Sequence, residues 1–135
     1  MSSDNLFSER RKYNRFQVQD GAFVTLTSGT EARLGLICDI SRSGLALRYI
    51  ADNSDQKNDA EIPATLDIIF DAEGYYLENI PCTMVWERQL PAETSFSDLA
   101  VRKCSVRFDH LTPEQHEQLL FFINNFAKPV APIMP

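Results

Sequence analysis

Residues 34–49 read Leu-Gly-Leu-Ile-Cys-Asp-Ile-Ser-Arg-Ser-Gly-Leu-Ala-Leu-Arg-Tyr. Leu34, Leu36, Cys38 and Ile40 alternate with Gly35, Ile37, Asp39 and Ser41. That is the two-residue period of a strand that buries one face. After Ser43-Gly44 the alternation resumes with Leu45, Leu47 and Tyr49 on one parity. The same period runs outward in both directions. Ala22, Val24 and Leu26 share a parity upstream, and Leu66, Ile68 and Phe70 share one downstream. Asp71 to Gly74 reads as a turn. A long strand-like run over 75–88 then carries Ile80, Cys82, Met84 and Trp86 on one face. Residues 100–109 alternate through Ala100, Cys104, Val106 and Phe108. Strand patterning repeated this often predicts an antiparallel sheet curling into a barrel.

Residues 51–61 and 89–99 are polar, lack a period and read as loops. The end of the chain changes character. Thr112-Pro113-Glu114-Gln115 is a helix start, with Thr as N-cap, Pro in the first turn and Gln at the capping-box position. Leu119, Phe122, Ile123 and Phe126 then form one apolar stripe that should lie on the barrel. Pro129 and Pro132 stop the helix. A tail over 1–8, one domain over 9–127 and a second tail over 128–135 are expected.

The chain has 135 residues, enough for one domain. Hydrophobic residues are 44% and charged residues 24%, which excludes disorder as the main state. No apolar run approaches membrane-spanning length, so no membrane insertion is expected. No secretory leader is visible, and Cys38, Cys82 and Cys104 are too scattered for a disulfide framework. A cytoplasmic location is expected. The net charge of −6 argues against long nucleic acid as a partner. Yet residues 10–15, Arg-Arg-Lys-Tyr-Asn-Arg, concentrate cations. An acidic protein with one basic segment suits a small anionic partner.

Arg10, Arg11 and Arg15 are the first candidate site. Guanidinium forks fit phosphate oxygens and the O6/N7 edge of guanine. A solvated basic stretch is the alternative reading. The second candidate is Asp39-Ile40-Ser41-Arg42-Ser43-Gly44. Asp39 and Ser41 share the face opposite the apolar set. A carboxylate there can accept two donors from a planar base, and Gly44 can take positive φ or let a ligand approach the backbone. A plain hairpin turn is the alternative. Glu87 and Asp109 are not brought together by any pattern, and His110 and His116 lack metal-ligand spacing. No metal site and no enzyme chemistry are expected.

Arg-x-x-x-Arg at Arg11–Arg15 followed by Asp-x-Ser-x-x-Gly at Asp39–Gly44 resembles the PilZ domain family. Glu9-Arg10-Arg11, Val106-Arg107-Phe108 and the helix after Leu111-Thr112-Pro113-Glu114 extend the resemblance over residues 9–126. It implies a six-stranded antiparallel barrel with the C-terminal helix packed on it, and a bacterial receptor for cyclic di-GMP. Arg11 and Arg15 would bind phosphate and guanine edges from a segment that orders over the ligand. Asp39, Ser41 and Gly44 would form the barrel half of the site, with Ser43 beside them. The basic Arg10 implies a stacked pair of ligands, two per chain. Ser105 stands where many members carry glycine. Trp86 ends its strand near the implied ligand, although its parity favours the core, and Arg88 lies just beyond. Output would pass to a downstream protein in motility, adhesion or exopolysaccharide control, from a monomer or weak dimer. The alternative within the family is an adaptor that binds no nucleotide.

Overall fold

The computed structural model describes residues 14–52, 61–91 and 99–130. The strands in chain order are β1 (Phe16–Val18), β2 (Phe23–Ser28), β3 (Glu31–Ile40), β4 (Gly44–Asp52), β5 (Ile62–Phe70), β6 (Tyr75–Gln89) and β7 (Leu99–Phe108). Helix α1 (Pro113–Phe126) and β8 (Ala127–Pro129) follow. All pairings are antiparallel. Neighbours run β2-β5-β6-β7-β4-β3, and β2 also pairs with β3. That last pairing closes a six-stranded barrel and leaves it no open edge. The short strands β1 and β8, which the sequence pattern does not announce, pair with each other and attach to β3.

The barrel interior is filled by alternate residues of each strand. Val24, Leu26, Leu45, Leu47, Leu66, Ile68, Ile80, Cys82, Cys104 and Val106 are all buried. All three cysteines are free. Burial pushes the Cys82 and Cys104 thiols up to about 12, so neither is a nucleophile at neutral pH. Thr112 caps α1 as its sequence requires: its Oγ1 accepts from the Gln115 N–H at 3.1 Å, and Gln115 Oε1 accepts from the Thr112 N–H. Leu119, Phe122 and Ile123 are buried against the barrel, where Phe122 and Phe126 meet Tyr75 and Phe70. The helix ends at Phe126, before Pro129, because the chain turns extended to pair with β1.

The expected alternation fails in β3. Leu34 and Leu36 stand outside, 65% and 42% exposed, rather than in the core. The cause is a bulge in β3 between Ile37 and Asp39. An extra residue, Cys38, shifts the parity, so Gly35 and Ile40 face inward although they differ in parity. Cys38 itself is half-buried.

The interior also holds an ion pair. Arg102 Nη2 donates to Glu87 Oε1 at 3.1 Å, with the two residues 5% and 6% exposed. Arg102 follows the inward parity of Ala100 and Cys104. Removing one member of such a pair leaves a buried charge behind. Arg102→Ala is therefore expected to lose roughly 3–5 kcal/mol of stability in urea unfolding. The double variant Glu87→Leu, Arg102→Met should recover most of that loss.

Candidate functional site

A pocket of about 220 Å³ opens on the outer wall of the barrel across β3, β4, β7 and β6. Its floor is a row of directly opposed residues. Asp39 lies opposite Ala46, Ala46 opposite Ser105, and Ser105 opposite Trp86. Three inter-strand steps put Asp39 and Trp86 about 14 Å apart, with only small side chains between them. The result is a shallow trough with a carboxylate at one wall and an indole at the other.

Both walls depend on bulges. Without Cys38 as the extra residue, Asp39 would share the inward parity of Gly35 and Ile37. A second bulge lies in β6 between Met84 and Trp86. It turns Trp86 outward into the pocket and sends Glu87 inward to Arg102. The core position that parity implies for Trp86 is thus overturned. Its ring carries the Arg88 guanidinium at 5.2 Å from the centroid, within cation–π range.

The Ser41–Gly44 turn is built by local hydrogen bonds. The Ser41 N–H donates to the Gly44 carbonyl at 2.8 Å, and Ser41 Oγ accepts from the Ser43 N–H at 3.2 Å. The Ser43 carbonyl accepts from the Phe108 N–H, which ties the turn to β7. Gly44 does not take positive φ, and the neighbouring strand itself demands glycine there. A Cβ there would collide with the Val106 carbonyl oxygen. The β4–β7 contact leaves no room for any side chain.

Cations border the trough on two sides. Arg15 reaches Asp39 at 3.6 Å from the start of β1. Arg107 lines the same side; its Nη1 donates to Glu61 at 2.9 Å, and its Nε lies 3.6 Å from Asp109. The Glu61 carboxylate pushes the Arg107 guanidinium further up. On the opposite side the next cross-strand row is Arg48, Lys103 and Arg88. A small dianion lying in the trough would meet positive charge at both margins.

The structure therefore brings Arg15, Asp39, Ser41, Ser43, Gly44, Trp86 and Ser105 to one pocket. Arg88 stands beside it on Trp86. Arg10 and Arg11 lie outside the described residues. Lys103 and Arg107 line the pocket although no motif singles them out. Their signal is parity: both fall opposite the buried set Arg102, Cys104 and Val106, on the face that also carries Ser105. Glu87 and Asp109 are separate, one inside the barrel and one accepting from Thr83 Oγ1 at 2.6 Å.

The family model of the PilZ domain matches residues 9–125. Among solved structures, the chain is similar to the PilZ domain with c-di-GMP of YcgR from Escherichia coli. The TM-score is 0.62 at 12% identity, over 85% of this chain and 90% of that one. It is also similar to the K. pneumonia MrkH–c-di-GMP complex, with a TM-score of 0.62 at 16% identity. That match covers 86% of this chain and 52% of MrkH, so the chain spans about half of MrkH. At these identities the likeness is one of fold. No curated protein sequence matches.

The Gly44 contact gives a direct test of how the site is held. Gly44→Ala should destabilise the barrel by about 1–3 kcal/mol, because backbone must move to admit the methyl group. Thermal melting monitored by circular dichroism reads this, and an unchanged melt would refute it.

Proposed function

Because the chain belongs to the PilZ domain family, we propose that it is a receptor for cyclic di-GMP that signals to a partner protein rather than catalysing a reaction. The observation that carries this reading is the trough from Asp39 to Trp86 with cations along both margins. The solved PilZ domain of YcgR and the MrkH complex both hold c-di-GMP, which supports the same ligand here.

Each residue has a chemical task in this reading. Asp39 accepts the N1–H and N2–H2 of a guanine, the paired donors that adenine lacks. In doing so the base competes with Arg15 for the same carboxylate, now 3.6 Å away. Arg15, with Arg10 and Arg11, then turns to phosphate oxygens and the guanine O6/N7 edge, where a bidentate fork is strongest. Trp86 offers a ring face for stacking. Lys103, Arg107 and Arg88 neutralise the phosphates. Gly44 and the Ser41–Ser43 turn keep the wall in register. With Arg10 before the motif, two stacked ligands per chain are expected. Ligand phosphates supply the counter-charge that orders residues 10–15 over the trough, and a partner protein in motility, adhesion or exopolysaccharide control reads the altered face. The cytoplasm is the compartment in which such a receptor meets its ligand.

A second reading, the nucleotide-independent adaptor, draws on Ser105. Its side chain stands in the middle of the trough floor, where many family members have glycine.

Calorimetric titration with cyclic di-GMP, against cyclic di-AMP and GTP, separates the two. Saturable and selective heat is expected, and its stoichiometry reads the number of ligands. No heat from a folded protein would establish the adaptor instead. Arg11→Ala and Arg15→Ala should each weaken binding about 10- to 100-fold, the worth of a charge-assisted hydrogen bond. Asp39→Ala should erase the preference over cyclic di-AMP; an unchanged ratio would remove Asp39 from guanine recognition. Glu61→Gln should tighten binding up to about fivefold, because it releases Arg107 from an exposed ion pair.

A further inference from the structure

Beyond the trough, the same barrel wall continues into an apolar groove of about 420 Å³. Phe23, Leu34, Leu36, Ile50 and Val101 line it and are all exposed, Ile50 at 68%. Phe23 lies opposite Leu36, and Ile50 opposite Val101. Apolar surface gathered in one place on an otherwise charged protein marks a contact site. The groove adjoins the ligand trough. Arg48 lines the groove, Lys103 lines the trough, and the two are directly opposed across β4 and β7. Along β4, Arg48 is about 7 Å and Ile50 about 13 Å beyond Ala46 at the trough floor.

The chain itself carries a segment that fits. Residues 1–13 lie outside the described residues, and within them stands Asp4-Asn5-Leu6-Phe7-Ser8-Glu9, directly before Arg10 and Arg11. Leu6 and Phe7 are flanked by acids, the complement of an apolar groove with Arg48 in its lining. Phe7 is four residues before Arg11, a reach of up to about 14 Å. That matches the distance from the trough floor to Ile50.

We propose that when cyclic di-GMP seats Arg11 and Arg15 over the trough, Leu6 and Phe7 dock in the groove, and Asp4 and Glu9 meet its cationic margin. The inference rests on the cyclic di-GMP reading and adds what the ordered segment does next. Docking is intramolecular, so it escapes the loss of translational freedom that a separate partner incurs. A twofold contact between two copies fits less well, because it sets Arg48 near its own equivalent. Ligand binding then exchanges an exposed apolar surface for a covered one, which is a change a partner protein can read.

The test uses the full chain, the tail variant Leu6→Ser, Phe7→Ser, the groove variant Leu34→Ser, Ile50→Ser, and their combination. Calorimetry with cyclic di-GMP should find each double variant about 3- to 10-fold weaker than wild type. The combination should be no weaker than either, since both remove one contact. In methyl-labelled protein, the Ile50 and Val101 signals should shift on ligand addition only when Leu6 and Phe7 are present. A tail variant that binds as tightly as wild type, or methyl shifts that ignore the tail, would overturn the docking while leaving the receptor reading intact. A wild-type protein with no saturable binding would overturn both. A ligand-induced dimer in sedimentation that survives the tail substitutions would assign the groove to a second copy and overturn the tail.

Discussion

The site depends on where the two bulged strands change face. A closed barrel fixes one face of every strand inward, and side chains alternate without exception until an extra residue intervenes. The bulge at Cys38 turns Asp39 out of the interior. The bulge before Trp86 does the same on the far wall. Between them β4 and β7 run in unbroken register and contribute only Ala46 and Ser105 to the row that joins the two walls. A trough results where regular strands would have produced a plain wall. The inward consequence is equally specific: the same shift in β6 drives Glu87 into the barrel, where Arg102 must accompany it. One irregularity thus places a pocket-facing indole and commits the core to an ion pair.

Charge is arranged on a similar economy. The chain is acidic overall, at −6. Five of its thirteen cations nevertheless border the trough, with Arg15 and Arg107 on one margin and Arg48, Lys103 and Arg88 on the other. Arg15 and Arg107 are each held by a carboxylate, Asp39 and Glu61 respectively. These exposed pairs are weak and exchangeable. A ligand bearing both donors and phosphates can replace the two carboxylates at once. An extended polyanion gains less, because the chain as a whole carries a net charge of −6.

The sequence reveals the strands because the inward residues of β2, β4, β5 and β7 keep a strict period of two. It reveals α1 because Thr112, Pro113 and Gln115 are a capping pattern whose hydrogen bonds all form. Asp39, Ser41 and Gly44 are legible as a motif, but the steric demand at Gly44 is not. The demand there comes from the Val106 carbonyl on a strand about sixty residues away. Leu34, Leu36 and Trp86 are misread because parity is a local rule and a bulge is set by strand pairing. Nothing in Cys38 or Val85 as residue types announces an unpaired position. β1 and β8 escape notice because three residues are too short to show a period. Lys103 and Arg107 become visible as site residues only when β7 is set beside β4 and β6.

The closed sheet also constrains how a ligand could be felt elsewhere. Its six strands bond to each other on both sides and enclose a packed interior, so the barrel wall has little freedom to respond. The layer outside it is different. β1 touches the barrel through Phe16 opposite Ile40 and is otherwise paired with β8, which continues directly from α1. The Arg15 carbonyl accepts from the Val130 N–H, and the Phe126 carbonyl at the helix end accepts from the Gln19 N–H. Arg15 therefore belongs to this outer layer, whereas Asp39 belongs to the barrel. Their 3.6 Å contact is a joint between the two. In the proposed reading, a ligand that takes Asp39 from Arg15 would act at that joint, where β1, β8 and α1 meet the barrel.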